Sequence, residues 1–183
     1  MTRLLRRFLK NTRATVAVEL AMAMPVLLGL LLTGAEVTRF VLLNQKIERT
    51  SASVADLVSQ SESLSEADIG NLFEITALSM APFPFSNVGK VVVSSVSVSG
   101  GSAPTVNWQR SHGGGPGTSA VGGASGPASV PGGIVLGDGD NVIVSEVFYD
   151  YQPLLMENVM NPTTLYNYAV YRPRFGSLNA ITP

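Results

Sequence analysis

The chain has 183 residues, of which 14% are charged and 45% hydrophobic, and it contains no cysteine. This composition excludes a disordered tail, a disulfide scaffold, thiol catalysis and Cys-ligated metal centres. Residues 1–13 carry five basic side chains and no acid, whereas ten acids and four bases follow residue 50. Because the basic residues lie in a short tail and not across a folded surface, we expect no nucleic-acid partner.

An apolar segment follows the basic leader, which comprises residues 1–14. From Thr15 to Ala35 the only charged residue is Glu19, and about 20 helical residues suffice to cross a bilayer. The positive charges before this segment predict that the N-terminus stays in the cytoplasm and that the remainder is exported. The sequence therefore predicts a single-pass protein of the cell envelope.

Helical periodicity continues beyond the apolar segment, because apolar and small residues recur at spacings of three or four as far as Val58. We expect one helix over residues 15–60, membrane-spanning to about residue 35. The alternative is a cleaved secretory signal that ends at Ala35, so that Glu36 begins the mature protein. Two features disfavour this alternative: the acidic Glu19 within the apolar run and the periodicity that continues past the cut.

The carboxylate of Glu19 indicates a functional residue, because an ionised side chain inside a membrane is costly in free energy unless it is paired. A cut between Ala14 and Thr15 would place a new α-amino group four residues before Glu19. Residues spaced by four lie on one helix face about 6 Å apart, so amine and carboxylate could neutralise each other within or between chains. Glu19 is therefore predicted to dock one helix beside another.

The run Arg13-Ala-Thr-Val-Ala-Val-Glu-Leu20, with the basic leader and the long helix, resembles the TadE-like (TadE/TadG-like) pseudopilins of tight-adherence (Tad/Flp) type IV pilus systems. The closing Tyr171-Arg172-Pro173-Arg174 is also similar to that family's last strand. The resemblance implies that prepilin peptidase cuts between Ala14 and Thr15, which makes Glu19 the fifth residue of the product. The family usually has glycine before the cut, where this chain has Ala14.

The resemblance further implies a minor pilin or pseudopilin in the bacterial inner membrane, with the pilus as a second location, and it implies no catalytic activity and no cofactor. Its partners would be the membrane, the prepilin peptidase, other pilin or pseudopilin subunits and the pilus assembly platform. The alternative function is an anchored or secreted envelope binding module with no pilus role. A hydrolytic enzyme is the third possibility.

Residues 61–183 are predicted to form an exported α+β domain. Ser65 and Asp68 form a capping box that begins a second helix, and Pro82 and Pro84 end it. Runs of β-branched or alternating apolar residues predict strands at 91–98, 106–108, 141–152 and 165–172. The predicted fold is a long N-terminal transmembrane and amphipathic helix packed on a small, mostly antiparallel sheet, which is the general plan of a pilin.

The stretch 100–139 contains thirteen of the eighteen glycines and is predicted to be a glycine-rich loop with little core. Removal of about residues 113–132 is accordingly expected to leave the domain folded. A phosphate-binding loop is excluded, because Gly113–Gly117 lacks the following Lys-Ser/Thr pair.

The remaining polar residues predict no catalytic, cofactor or metal site. His112 is the only histidine and is expected to be a solvated loop residue. Asp138–Asn141 resembles part of a calcium loop, but a tight turn fits these residues better. Glu146 and Asp150 are about 13 Å apart on one strand face, which is too far for glycosidase chemistry. The last two arginines, Arg172 and Arg174, are expected to anchor the chain end.

Overall fold

The computed structural model describes residues 12–155 and 161–182, so the basic leader up to residue 11 lies outside the described residues. One uninterrupted helix, α1, covers Thr12–Ser59 and carries Pro25 in its interior. The sequence predicted this helix over 15–60, and the bounds differ by no more than three residues. The contacts divide the chain into two units, which share this helix between them.

The first unit combines α1 as far as Phe40 with Pro153–Asn161. Within the described residues, α1 is the one helix that is long and apolar enough to cross a membrane, and none of its most apolar window is buried. Every side chain from Thr15 to Ala35 is exposed. An exposed apolar surface of this length is compatible with anchoring in a membrane.

The second unit comprises Val41–Gln152 and Pro162–Pro183. Its sheet has four strands, which are β1 (Gly89–Ser97), β2 (Thr105–His112), β3 (Asn141–Tyr151) and β4 (Thr163–Tyr171). The strand order is β2-β1-β3-β4, and every neighbouring pair is antiparallel. The structure confirms the predicted α+β class and all four predicted strands.

The second helix, α2, covers Glu66–Ser79 and begins at the predicted capping box. The hydroxyl of Ser65 accepts from the backbone N–H of Asp68 at 3.2 Å, and the Asp68 carboxylate accepts from the backbone N–H of Ser65 at 2.9 Å. Ile69 and Phe73 are buried on one side of this helix. The local sequence therefore sets both the start of α2 and the face that it buries.

Helices cover one face of the sheet. Buried apolar side chains of α1 in this unit are Leu43, Ile47, Val54, Ala55 and Val58. The hydroxyl of Ser51 donates to Oδ1 of Asn167 on β4 at 3.1 Å, which fixes the face that α1 covers. Since alternate strand residues point to opposite faces, the other face of the same strands needs a second cover.

The glycine-rich stretch supplies that second cover, and the expectation that it has little core is wrong. Val121, Val130 and Leu136 are buried in one cluster with apolar residues of the sheet, namely Val96, Val106, Val142 and Val144. Glycine permits this close approach: Gly117 has a φ of +119°, and a Cβ added there would lie 2.5 Å from the ring of Phe148. The stretch is loop in conformation, yet it forms a layer of the domain.

Residues 174–182, named here the C-terminal strap, run from β4 back to the helices. The backbone N–H of Arg174 donates to the Ser59 carbonyl at 2.8 Å, and the Arg174 guanidinium pairs with Asp56 at 2.5 Å. Further along, the N–H of Thr182 donates to the Leu64 carbonyl at 2.7 Å. Arg172, directly after β4, pairs with Asp140 at 3.0 Å. The expectation that Arg172 and Arg174 anchor the chain end is confirmed.

Candidate functional site

The apolar surface of α1 carries one charged side chain, Glu19. Its neighbours one helical turn away are Thr15 and Val16 on one side and Met22 and Ala23 on the other. Val16 is 62% exposed and Met22 76% exposed, so this carboxylate lies on an open apolar surface. In lipid such a group is costly unless a cation reaches it.

The predicted processing site lies in the first turn of the same helix. Ala14 precedes the side chains that the structure describes, and Thr15 is exposed. Thr15 and Glu19 are spaced by four, so their side chains share one face of α1. This geometry brings the predicted cut and the predicted docking residue together on one surface.

Glu36 is a second carboxylate of α1, and the sequence did not predict a structural role for it. It directly follows the apolar segment, and its side chain is fully buried. Its Oε2 accepts from the backbone N–H groups of Leu154 and Leu155 at 3.1 and 2.8 Å, and its Oε1 lies 3.4 Å from Nη1 of Arg39. The one sequence feature that could have indicated this role is that Glu36, at the end of the apolar run, lies three residues before Arg39.

The buried carboxylate of Glu146 holds the glycine-rich stretch on the sheet. Its Oε1 accepts from the backbone N–H of Ala120 at 2.8 Å and from the hydroxyl of Tyr166 at 3.0 Å, and its Oε2 accepts from the hydroxyl of Ser119. The pKa of the Tyr166 hydroxyl is raised far above its ordinary value, mainly by burial and secondly by the charge of Glu146. Asp150 instead accepts from the side-chain amide of Gln152, so the two carboxylates have separate partners.

A cavity of about 460 Å³ is lined by β1, β2 and the glycine-rich stretch. Its polar lining residues are Lys90, Gln109, Ser111, Thr118 and Ser119. The Lys90 ammonium donates to the Gly117 carbonyl at 2.8 Å, and the Gln109 amide donates to the Gly122 carbonyl at 2.9 Å. The lining could accommodate a small polar molecule, although these two donors already bind the glycine-rich stretch.

The other polar candidates have structural roles. His112 belongs to the end of β2 and not to a loop, because it pairs with Val91 there, and its ring stacks on Phe73 at 5.4 Å. Asp140 accepts from the backbone N–H of Gly137 at 2.8 Å, as expected for a turn. Within the described residues, no group of three His, Cys, Asp or Glu side chains could hold a metal ion.

Comparison of the chain with protein-family models, with curated proteins and with solved structures finds no match.

Proposed function

We propose that the chain is a membrane-anchored structural subunit, a TadE-like minor pilin or pseudopilin that takes part in assembly of a Tad/Flp-type pilus. The observation that carries the proposal is the continuous 48-residue helix. Its N-terminal part presents exposed apolar side chains, and its C-terminal part packs on a four-stranded antiparallel sheet. Such a helix can serve a subunit that is held by lipid before assembly and by neighbouring helices afterwards.

Glu19 is the proposed helix-docking residue. Hydrolysis of the Ala14–Thr15 peptide bond by the prepilin peptidase adds one water and leaves an α-amino group on Thr15. That cation can neutralise a Glu19 carboxylate on an adjacent subunit when helices leave lipid and associate. Ala17 and Ala21, which are both exposed, form a small-residue face that permits close helix approach.

N-terminal sequencing of the protein from native membranes tests the processing step. A sequence that begins at Thr15 supports the proposal, whereas Met1 or Glu36 contradicts it. Because the peptidase needs a small residue before the cut, Ala14→Gly should be processed at least as well as the parent and Ala14→Arg should be blocked. Equal processing of Ala14→Arg would remove the proposed site.

Glu19→Gln tests the docking role. The substitution preserves size and removes the charge, so membrane insertion and processing should be unchanged, while crosslinking to pilus subunits and surface piliation should be lost. Glu48→Gln is the matched control, because Glu48 is an exposed acid of the same helix outside the apolar segment. Normal crosslinking and piliation with Glu19→Gln would contradict a docking role.

The cavity beside Ser111 favours a second candidate, an envelope binding module without a pilus role. Ser111→Trp places a large side chain at the lining of this cavity and leaves α1 untouched. For a pilus subunit, piliation of the variant should equal that of the parent. If the chain is instead a binding module, Ser111→Trp should abolish its function in the cell envelope. Deletion of the whole chain would then leave piliation intact.

A further inference from the structure

The first unit brings two exposed leucines beside the end of the apolar segment. Leu154 is 67% exposed and Leu155 46% exposed, and both follow β3 in the chain. Their backbone N–H groups donate to the same oxygen of Glu36. Glu36 directly follows the 21-residue apolar run that ends at Ala35, so both leucines lie where α1 would emerge from a bilayer.

The backbone of this segment is suited to an apolar environment. Irregular backbone is rare at membrane depth, because its N–H groups lack partners there. In the segment 153–155, Pro153 has no N–H, and the N–H groups of Leu154 and Leu155 both bind the Glu36 carboxylate. The segment thus presents two apolar side chains, and none of its three residues has a backbone N–H group that lacks a hydrogen-bond partner.

The charges of this site fit the boundary between hydrocarbon and headgroups. The Glu36 side chain is fully buried, and it is neutralised by the Arg39 guanidinium at 3.4 Å. Arg39 remains 31% exposed, which suits an arginine whose aliphatic stem lies along apolar surface and whose charge reaches the headgroups. Exposed apolar side chains of α1 such as Leu31 precede Glu36 in the same helix.

We propose that Leu154 and Leu155 insert into the outer interfacial region of the lipid bilayer and that Glu36 couples them to α1. The site is therefore a lipid-binding surface that fixes how deeply the helix sits. This inference rests on the proposed membrane anchoring, and its occupant is lipid and neither a second copy nor a partner protein.

Depth measurement by spin labelling tests the inference on the full chain in phosphatidylethanolamine and phosphatidylglycerol vesicles. The chain has no cysteine, so Leu155→Cys introduces a single labelling position without background. Leu28→Cys reports the middle of the apolar segment, and Val135→Cys reports a residue outside this unit that is 91% exposed. Collisions with oxygen increase and collisions with a water-soluble nickel chelate decrease as a nitroxide enters lipid.

The expected result is that labels at 28 and 155 both collide more with oxygen than with the nickel chelate, while the label at 135 shows the reverse. Adding Glu36→Ala should move the label at 155 towards water and leave the label at 28 in place. If the label at 28 is in lipid while that at 155 is aqueous, or shielded from both reagents by protein, this inference is overturned and membrane anchoring stands. An aqueous label at 28 overturns both.

Discussion

Two adjacent polar residues of β3 show how differently a buried side chain can be accommodated. Glu146 binds Ala120, Ser119 and Tyr166 through its carboxylate. Ser145 points to the opposite face and is equally buried, yet its hydroxyl has no hydrogen-bond partner among the described residues. An unpaired buried hydroxyl lowers stability, whereas a fully paired carboxylate ties three elements together.

We expect Glu146→Ala to lower the free energy of unfolding by about 2–4 kcal/mol, because three hydrogen bonds to a charged and buried acceptor are lost. Ser145→Ala, the neighbouring control, should change it by less than about 0.5 kcal/mol, because no hydrogen bond is lost. Urea unfolding of the full chain in detergent, followed by far-UV circular dichroism, measures both. Equal effects of the two substitutions would contradict the proposed role of Glu146.

At the scale of elements, α2 depends on its first turn. Ser65 is its N-cap, and hydrogen bonds from the Ser65 side chain and backbone hold the pKa of Asp68 below its ordinary value of 3.8. A carboxyl whose pKa is lowered by folding adds stability above its ordinary pKa, and that stability is lost as the pH falls through the lowered value. The cap of α2 should therefore weaken in acid.

Ser65→Ala should cost about 1 kcal/mol at pH 7, which is typical for loss of an N-cap side chain. Because a protonated Asp68 carboxyl accepts the bonds from the Ser65 hydroxyl and backbone N–H more weakly than the carboxylate does, the difference between parent and variant should shrink as the pH falls below about 4. Ser63→Ala is the control, since Ser63 is exposed and precedes the cap. Chemical unfolding of the full chain between pH 7 and pH 3 gives the comparison.

The glycine-rich stretch behaves as a packed layer, so its single apolar residues should matter. Val121→Ala should destabilise the chain by about 2 kcal/mol, because Val121 is 1% exposed and its truncation leaves a cavity. Val135→Ala in the same stretch should change stability by less than about 0.5 kcal/mol, because Val135 is 91% exposed. Deletion of residues 113–132 should accordingly prevent normal folding, in contrast to the expectation from composition.

Sequence predicted the elements whose causes are local. The capping box of α2 and the β-branched strand β1 lie within a few consecutive residues, so their patterns can be read directly. Val121 and Val130 are nine residues apart among glycines and small polar residues, and no periodicity marks them as core. The backbone groups that donate to Glu36, those of Leu154 and Leu155, are more than a hundred residues away in the chain, so no local pattern could reveal them.

At the scale of the whole chain, the C-terminal strap joins the sheet to both helices. The indole N–H of Trp108, on β2, donates to the Leu178 carbonyl at 2.8 Å, and Leu178 is 2% exposed. Asn141 at the start of β3 accepts from the backbone N–H of Leu178 at 3.0 Å. The strap thus covers an edge of the core that would otherwise be open.

Deletion of residues 175–182 should expose Trp108, which is 5% exposed and is the only tryptophan. We expect a red shift of its fluorescence emission and a lower unfolding midpoint, because the deletion removes both the buried Leu178 and the acceptor of the indole N–H. Phe175→Ala is the control, since Phe175 is 57% exposed and should leave the emission unchanged. An unshifted spectrum after the deletion would show that the strap does not shield the indole.

The strap also imposes an order of events during synthesis. Residues 174–182 leave the ribosome after every element that they contact, which includes the end of α1, the first turn of α2 and strand β2. A nascent chain that has already completed β4 still lacks the cover over Trp108. The domain can therefore reach its final packing only after the strap has been synthesised, and a chain truncated before residue 174 presents unfinished apolar surface to chaperones and proteases.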